Sequence, residues 1–207
     1  MIYEMSFAKI GGIFKNYSCY IVLAAYVLFD VHYFIRTVLV VTGNVLLTKL
    51  IGRRDVMEED GYKAICLTTD MDFQWHMNNA RYLRECDWAR FSFWIRNSGL
   101  KTRGRMLVKA STIRYRRSIQ LFDIYTIKTK ILTWDSKAIY LQHVFERQKD
   151  KFICAVVYIN LALLGVTPQD LIYEIEGRNI VAPNVSPELQ KWIESNQLSS
   201  EKLRKTN

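Results

Sequence analysis

The chain has 207 residues, half of them apolar, and a mean hydropathy of -0.04; this fits one ordinary domain with an appendage and excludes a large multidomain machine, a disordered chain and a polytopic membrane protein. Its 29 Lys and Arg against 20 Asp and Glu give a formal net charge of +9, which brings acidic partners into consideration, nucleic acid, anionic lipid and phosphorylated cofactors alike, and selects none of them. Cys19, Cys66, Cys86 and Cys154 are widely spaced with no C-x-x-C, and His32, His76 and His143 stand at no ligand spacing to one another or to a cysteine, so neither a disulfide scaffold nor a metal site is expected.

Residues 16–48 carry two formal charges, Asp30 and Arg36. The cleanest apolar runs, Tyr20–Phe29 and Thr37–Leu47, are each shorter than the roughly 20 residues that a bilayer-crossing helix needs. A single span from about Tyr17 to Ile35 reaches that length and carries Asp30 and His32 toward its far end. Three readings compete. A cleaved signal peptide fits Lys9 and Lys15 ahead of a short apolar run, but no small-x-small site follows Phe29. A buried helix of the soluble domain is the second. The third, the expectation adopted, is an uncleaved anchor that contacts membrane lipid through residues 17–48. Arg36, Lys49, Arg53 and Arg54 after the span outnumber Lys9 and Lys15 before it, which places the body in the cytosol. The endoplasmic reticulum or another endomembrane is the expected location, and secretion after cleavage is the alternative.

From Asp55 the texture turns to mixed charge, DVMEED and then Gly61, which marks a linker and the start of a globular domain. Tyr62–Thr69 reads as a short strand. Asn78 to Ser98 lacks Gly and Pro, places Leu83, Cys86, Ala89, Phe93 and Trp94 among its apolar positions, and predicts a helix that Asn78 or Asn79 caps and Gly99 stops. Arg81 and Glu85 stand at i,i+4 on it. Apolar residues nearly all round predict that other structure encloses this helix.

A strand is expected around Met106–Arg116, and the period then shortens to two. In Asp123–Trp134, Tyr125, Ile127 and Ile131 share one face and Lys128 and Lys130 the other; Ala138–Arg147 puts Ile139, Leu141, His143 and Phe145 together. Phe152–Leu164, apolar apart from Asn160, reads as a central, doubly buried strand. Strand, long helix and four further strands define class α+β, an antiparallel sheet with one helix against it. Pro187–Gln197 is expected to form a short helix and the chain to fray beyond Ser199. The domain boundaries read as 1–54 for the hydrophobic segment and linker, 55–177 for the globular domain and 178–207 for the tail.

The chemistry is concentrated in Asp70–Arg90, DMDFQWHMNNARYLRECDWAR. Two carboxylates, an imidazole and two amides immediately precede a helix, whose unpaired N–H groups and positive dipole end polarise a carbonyl or hold a phosphate. A carboxylate there can attack that carbonyl or activate water. The same residues also fit a purely structural role, with Asp70 and Asp72 capping the turn or helix and His76 hydrogen-bonded in the loop.

The pattern Asp-x-Asp-x-x-x-His-Met-Asn-Asn-Ala-x-Tyr followed by Asp-x-Ala-Arg resembles the hotdog-fold thioesterases of the 4-hydroxybenzoyl-CoA type, over roughly residues 62–165. Together with LFDVHYFIR and W-D-x-x-A-x-Y-L, the wider sequence resembles the thioesterase superfamily member 6 family. The resemblance implies a hotdog fold, an antiparallel sheet wrapped around one long helix, preceded by the N-terminal hydrophobic membrane segment. It implies an acyl-CoA or related thioester as substrate or ligand, no cofactor, and a homodimer. Residue by residue, it places Asp72 at the nucleophile or general-base position and His76 and Asn78 in the substrate-facing turn. Asn79 and Ala80 fall at the helix start, where backbone N–H groups would hold the thioester oxygen. Asp70 falls in a supporting place, and Asp87, three before Arg90, stands where the family often has Glu. The Gly that usually precedes the His is Trp75 here, a bulky side chain expected to restrict substrate approach or alter the backbone; where plant-type relatives have Asn, this chain has Gln74.

Other nucleophiles fare worse. Cys86 lies about 12 Å into the helix at 1.5 Å per residue and reads as a core cysteine; no G-x-S-x-G elbow exists; His143 reads as a satisfied core histidine. The cluster Arg103, Arg105, Arg114, Arg116 and Arg117 fits a solvated strand edge or contact with coenzyme A phosphates, with Arg114, Arg116 and Arg117 the candidates. No nucleic-acid signature accompanies it. Two functions remain open, a membrane-tethered acyl-thioester hydrolase and a catalytically silent acyl binder or membrane scaffold with the same fold.

Overall fold

The computed structural model describes residues 7–99 and 104–206, so Arg103 of the basic cluster lies outside the described residues. The chain divides into two compact units, residues 1–42 and 43–207.

Helix α1 (Phe7–Leu28) ends where Asp30 begins a new helix, α2 (Val31–Ile51). The Asp30 carboxylate accepts the Tyr33 N–H at 3.2 Å, the bond by which an N-cap satisfies an orphan donor. The single span expected over Tyr17–Ile35 is therefore interrupted. Among the described residues α2 is the helix long and apolar enough to cross a membrane, with Tyr17–Tyr26 a shorter apolar stretch. None of the α2 residues is buried.

In the second unit come β1 (Asp60–Ile65), a short 3-10 turn at Thr68–Asp70, α3 (Asn79–Ser98), β2 (Arg105–Tyr115), β3 (Ile124–Trp134), β4 (Ala138–Arg147), β5 (Ile153–Leu164), α4 (Pro168–Glu176) and α5 (Pro187–Thr206). The strands form one antiparallel sheet in the order β1-β3-β4-β5-β2. The middle strand is thus β4, and β5, read as central and doubly buried, lies inside the sheet between β4 and β2 with residues buried on both faces.

Alternation decides which residues meet α3. Ile127 and Ile131 of β3, Leu141 and Phe145 of β4, and Val157 and Ile159 of β5 form one core with Tyr82, Cys86, Ala89 and Phe93 of the helix. Each large side chain so enclosed contributes about 1.5–3 kcal/mol. The sheet wraps α3 in the hotdog arrangement. Gly99 ends α3 at φ 63 with its N–H donated to Ile95 O, a left-handed stop that glycine adopts without a Cβ clash.

Two further features depart from expectation. Helix α4 was not anticipated: Thr167 caps it, Pro168 occupies its first turn, Gly177 ends it, and Leu171, Ile172 and Ile175 are buried. The last helix runs through Thr206 instead of fraying beyond Ser199. Its stability has a visible source on the face of the sheet opposite α3, where Leu189, Trp192 and Ile193 pack with Ala138 and Tyr140.

Candidate active site

The residues singled out at Asp70–Asn78 form a small hairpin. Met71 pairs with Met77 and His76 with Gln120; Asp72 N–H donates to His76 O at 3.0 Å, Trp75 N–H to Asp72 O at 3.1 Å, and Met77 N–H to Ile119 O at 2.9 Å. The turn requires a left-handed residue, and Trp75 supplies it at φ 60, at a cost of about 1–2 kcal/mol relative to glycine. The backbone that glycine would permit is thus retained. Trp75 is 75% exposed and Phe73 88% exposed, so neither ring fills the turn.

The hairpin brings Asp72 and His76 together. Asp72 Oδ2 lies 3.5 Å from His76 Nδ1, and Asp72 Oδ1 accepts the Gln74 N–H at 2.9 Å. His76 Nε2 is 3.1 Å from Gln74 Oε1, and Nδ1 is 3.3 Å from Met77 O. Asp70 has a different place. Buried, it accepts the Leu67 N–H through Oδ2 at 2.9 Å and the Asn78 N–H through its carbonyl at 2.8 Å, so its carboxylate builds the turn.

At the start of α3, Asn78 is the N-cap: its Oδ1 accepts the Ala80 N–H at 2.9 Å. Its carbonyl accepts the Arg81 N–H at 2.9 Å. Of the two N–H groups expected to hold a thioester oxygen, that of Ala80 is therefore occupied, whereas no hydrogen bond to the Asn79 N–H is found among the described residues. The Asn79 carbonyl accepts the Tyr115 hydroxyl at 2.9 Å. A cavity of about 360 Å³ opens here, lined by Met71, Asn78, Ala80, Arg81 and Arg84; Asp72 and His76 are not among its lining residues.

The other candidates lie elsewhere. Asp87 pairs with Arg90 along α3. The register places Arg114 opposite Val156 and Tyr115 opposite Ala155, so Arg114 takes the opposite sheet face from the tyrosine that reaches Asn79. Arg116 and Arg117 flank the Phe152 ring, at 5.1 and 3.7 Å from its centroid, and Arg117 lies 3.5 Å from Asp150. Arg81 and Arg84, overlooked in favour of this denser cluster, are the cations at the cavity. Their i,i+3 spacing just past a capping Asn was the available signal.

The buried thiols are poor nucleophiles. Burial pushes Cys66 up to about 12 and raises Cys86 and Cys154 as well. His143, fully buried, has Nδ1 2.8 Å from Thr129 Oγ1, while its Nε2 has no partner among the described residues. It is a core histidine, only half satisfied. Burial, aided by the Arg90 charge, pushes it down to about 3, which holds it neutral. Among the described residues no group of three or more His, Cys, Asp or Glu stands close enough to hold a metal ion.

An antiparallel sheet around one long helix, with an Asp/His hairpin at the helix start, defines a hotdog domain of the thioesterase-like type. The family described as the thioesterase-like superfamily matches residues 66–193. Protein THEM6 of Xenopus laevis is 37% identical over 188 residues, covering 89% of this chain and 89% of that protein; Protein THEM6 of Drosophila melanogaster is 38% identical over 191 residues, covering 89% and 96%. The chain belongs to the THEM6 family of this superfamily. In fold it is similar to an acyl-CoA hydrolase from Staphylococcus aureus solved with butyryl coenzyme A, coenzyme A and coenzyme A disulfide, at TM-score 0.54 and 9% identity, covering 74% of this chain and 95% of that one.

Proposed function

We propose that the chain hydrolyses an acyl thioester, with acyl-CoA as the substrate class. The observation that carries this reading is the Asp72 carboxylate, held by the hairpin against His76 beside a helix start whose Asn79 N–H is unpaired among the described residues. Asp72 takes a proton from water as the water oxygen attacks the thioester carbon. The Asn79 N–H and the helix dipole stabilise the oxyanion, and collapse expels the thiolate, which is protonated to the thiol as the acid is released. His76 orients the Asp72 carboxylate, and Asn78 shapes the cavity wall. Arg81 and Arg84 supply positive charge for coenzyme A phosphates, with Arg114, Arg116 and Arg117 as the outer candidates. The coenzyme A ligands of the Staphylococcus aureus hydrolase support this ligand class. In an assay of the full chain against acyl-CoAs of graded length, Asp72→Asn is expected to lower turnover by about 10²–10⁴-fold. Undiminished turnover removes Asp72 from the mechanism.

A second reading, a silent acyl binder or membrane scaffold, is favoured by one specific observation: the Asn78 side chain already occupies the Ala80 N–H. Acyl-CoA binding without turnover by the wild-type chain selects it. In either case α2 anchors the protein in an endomembrane such as the endoplasmic reticulum, with residues 17–48 in contact with lipid and the domain in the cytosol; secretion after cleavage is the competing fate. The eleven-residue edge strand β2 favours a homodimer. Protease protection of a C-terminal tag in microsomes tests the orientation, and a protected tag overturns it.

A further inference from the structure

Helix α2 can cross a bilayer only if the whole of it is free to enter one, and its last turns are not. Residues from Gly43 onward belong to the same compact unit as α3 and the sheet. The Ser92 hydroxyl, which donates to Asp60 Oδ2 at 2.8 Å, lies 3.2 Å from the Asn44 side-chain amide. The Thr48 hydroxyl donates to Ile95 O at 3.4 Å. The chain stays bound after the helix ends: the Arg54 N–H donates to Arg96 O at 2.9 Å, and the Asn97 side-chain amide donates to the Asp55 and Glu58 carbonyls at 2.7 and 3.1 Å. With residues 43–51 held on α3, the rest of α2, residues 31–42, reaches about 18 Å at 1.5 Å per residue. The hydrocarbon core is about 30 Å thick. Drawing the held turns into it would strip the Asn44 amide of its polar partners, which an apolar medium penalises.

These held turns are polarised in the reverse of the usual sense. A helix packed on a domain in water turns its apolar stripe inward and its polar side out. Here the half-buried side is Asn44, Val45 and Thr48, two of the three polar. The exposed side carries Leu46, Leu47, Leu50 and Ile51, with Leu50 81% exposed, and Lys49 stands beside them. An outward apolar stripe with a cation at its edge is what a helix lying in a membrane interface presents to lipid, and this one continues directly from the apolar residues 31–42. We propose that residues 43–51 form an interfacial helix clipped to α3 and seated in the headgroup–acyl boundary of a phospholipid bilayer. Leu46, Leu47, Leu50 and Ile51 enter the lipid, Lys49 meets the phosphates, and α2 binds the membrane without crossing it. Because the bonds from Asn44 to Glu58 leave no slack between this helix and α3, the domain rides on the bilayer surface. The proposal rests on the reading that residues 17–48 contact lipid, and adds the geometry of that contact.

The test is spin labelling of the full chain in liposomes of phosphatidylcholine and phosphatidylserine. Cys19→Ser leaves only buried thiols, and Leu39→Cys, Leu46→Cys and Leu50→Cys each add one label at an exposed position. Accessibility to oxygen and to a water-soluble nickel chelate reads whether each label sits in lipid, water or protein, and at what depth. The labels at 46 and 50 are expected in lipid at the same depth, about 5–10 Å into the headgroup–acyl boundary. A crossing α2 separates them by about 6 Å, four residues at 1.5 Å each, and that result overturns the proposal. So does chelate access at both positions, which shows water on this face, or shielding from both reagents, which shows a second copy or another protein there. In these three cases a lipid signal at 39 leaves the wider reading of the segment standing. Absence of a lipid signal at all three positions removes that reading and the proposal together.

Discussion

Replacing His143 with glutamine is expected to flatten the dependence of stability on pH. The imidazole is fully buried between β3 and β5, and burial pushes it from 6.5 down to about 3. Between pH 6.5 and 5 the unfolded chain therefore gains a proton at this residue and the native chain does not. With more protons on the unfolded side, stability falls as pH falls, at about 1.4 kcal/mol per pH unit once well below 6.5. The loss reaches about 2 kcal/mol at pH 5, and it depends little on the native value as long as that lies well under 5. Glutamine can still bond to the Thr129 hydroxyl but does not titrate. Urea unfolding of the full chain, followed by pulse proteolysis at pH 7, 6 and 5, reads both profiles. The gap between wild type and His143→Gln should shift by about 2 kcal/mol in favour of the variant between pH 7 and pH 5. Parallel profiles would show that the native imidazole takes up a proton as readily as the unfolded one, and the reasoning would fail.

Glycine 104 and glycine 177 make a matched pair of backbone tests. A Cβ at Gly104 (φ 77) would sit 2.4 Å from the Leu164 carbonyl oxygen and 2.9 Å from Val166, whereas at Gly177 (φ 70) nothing lies within 4 Å. In the same urea assay Gly104→Ala should cost about 3 kcal/mol or more and Gly177→Ala about 1; equal losses would dismiss the close approach. Asn78→Ala, which removes the cap, should destabilise by about 1 kcal/mol and speed hydrogen exchange at the Ala80 amide, and unchanged exchange there would deny the bond. N-ethylmaleimide at pH 8 should leave Cys66, Cys86 and Cys154 unlabelled by mass spectrometry until urea is added, as their burial requires; labelling of the native domain at Cys86 would contradict the packing.

What the sequence revealed tracks how local each cause is. The α3 boundaries were readable because both stops are single residues with a known geometry, the Asn78 cap and Gly99 in the left-handed region. The strands were readable because period two survives wherever one sheet face is buried. The break at Asp30 was hidden because apolar composition continues on both sides of it, and a lone carboxylate is equally at home at an interface or in a cap. Helix α4 was overlooked although Thr167-Pro168 and Gly177 mark both its ends, since nine residues give a weak periodic signal. In the site, the placing of Asp72 and His76 together in the segment before α3 was readable, but their contact was not, because it depends on the left-handed turn at Trp75. The spending of the Ala80 N–H on Asn78 was not readable either, because one Asn serves cap and cavity alike until the rotamer is known.

The strand order has a consequence in time. β2 is made before β3 and β4, yet its ladder partner is β5, complete only at Leu164. At roughly 5–20 residues per second during synthesis, the strand waits for seconds with Leu107 and Val108 in water. Even in the finished sheet its outer side stays an edge. Three cations, Arg105, Lys109 and Arg114, and a bulge between Val108 and Ala110 interrupt it, features that discourage indiscriminate strand pairing. They guard the nascent chain until β5 arrives.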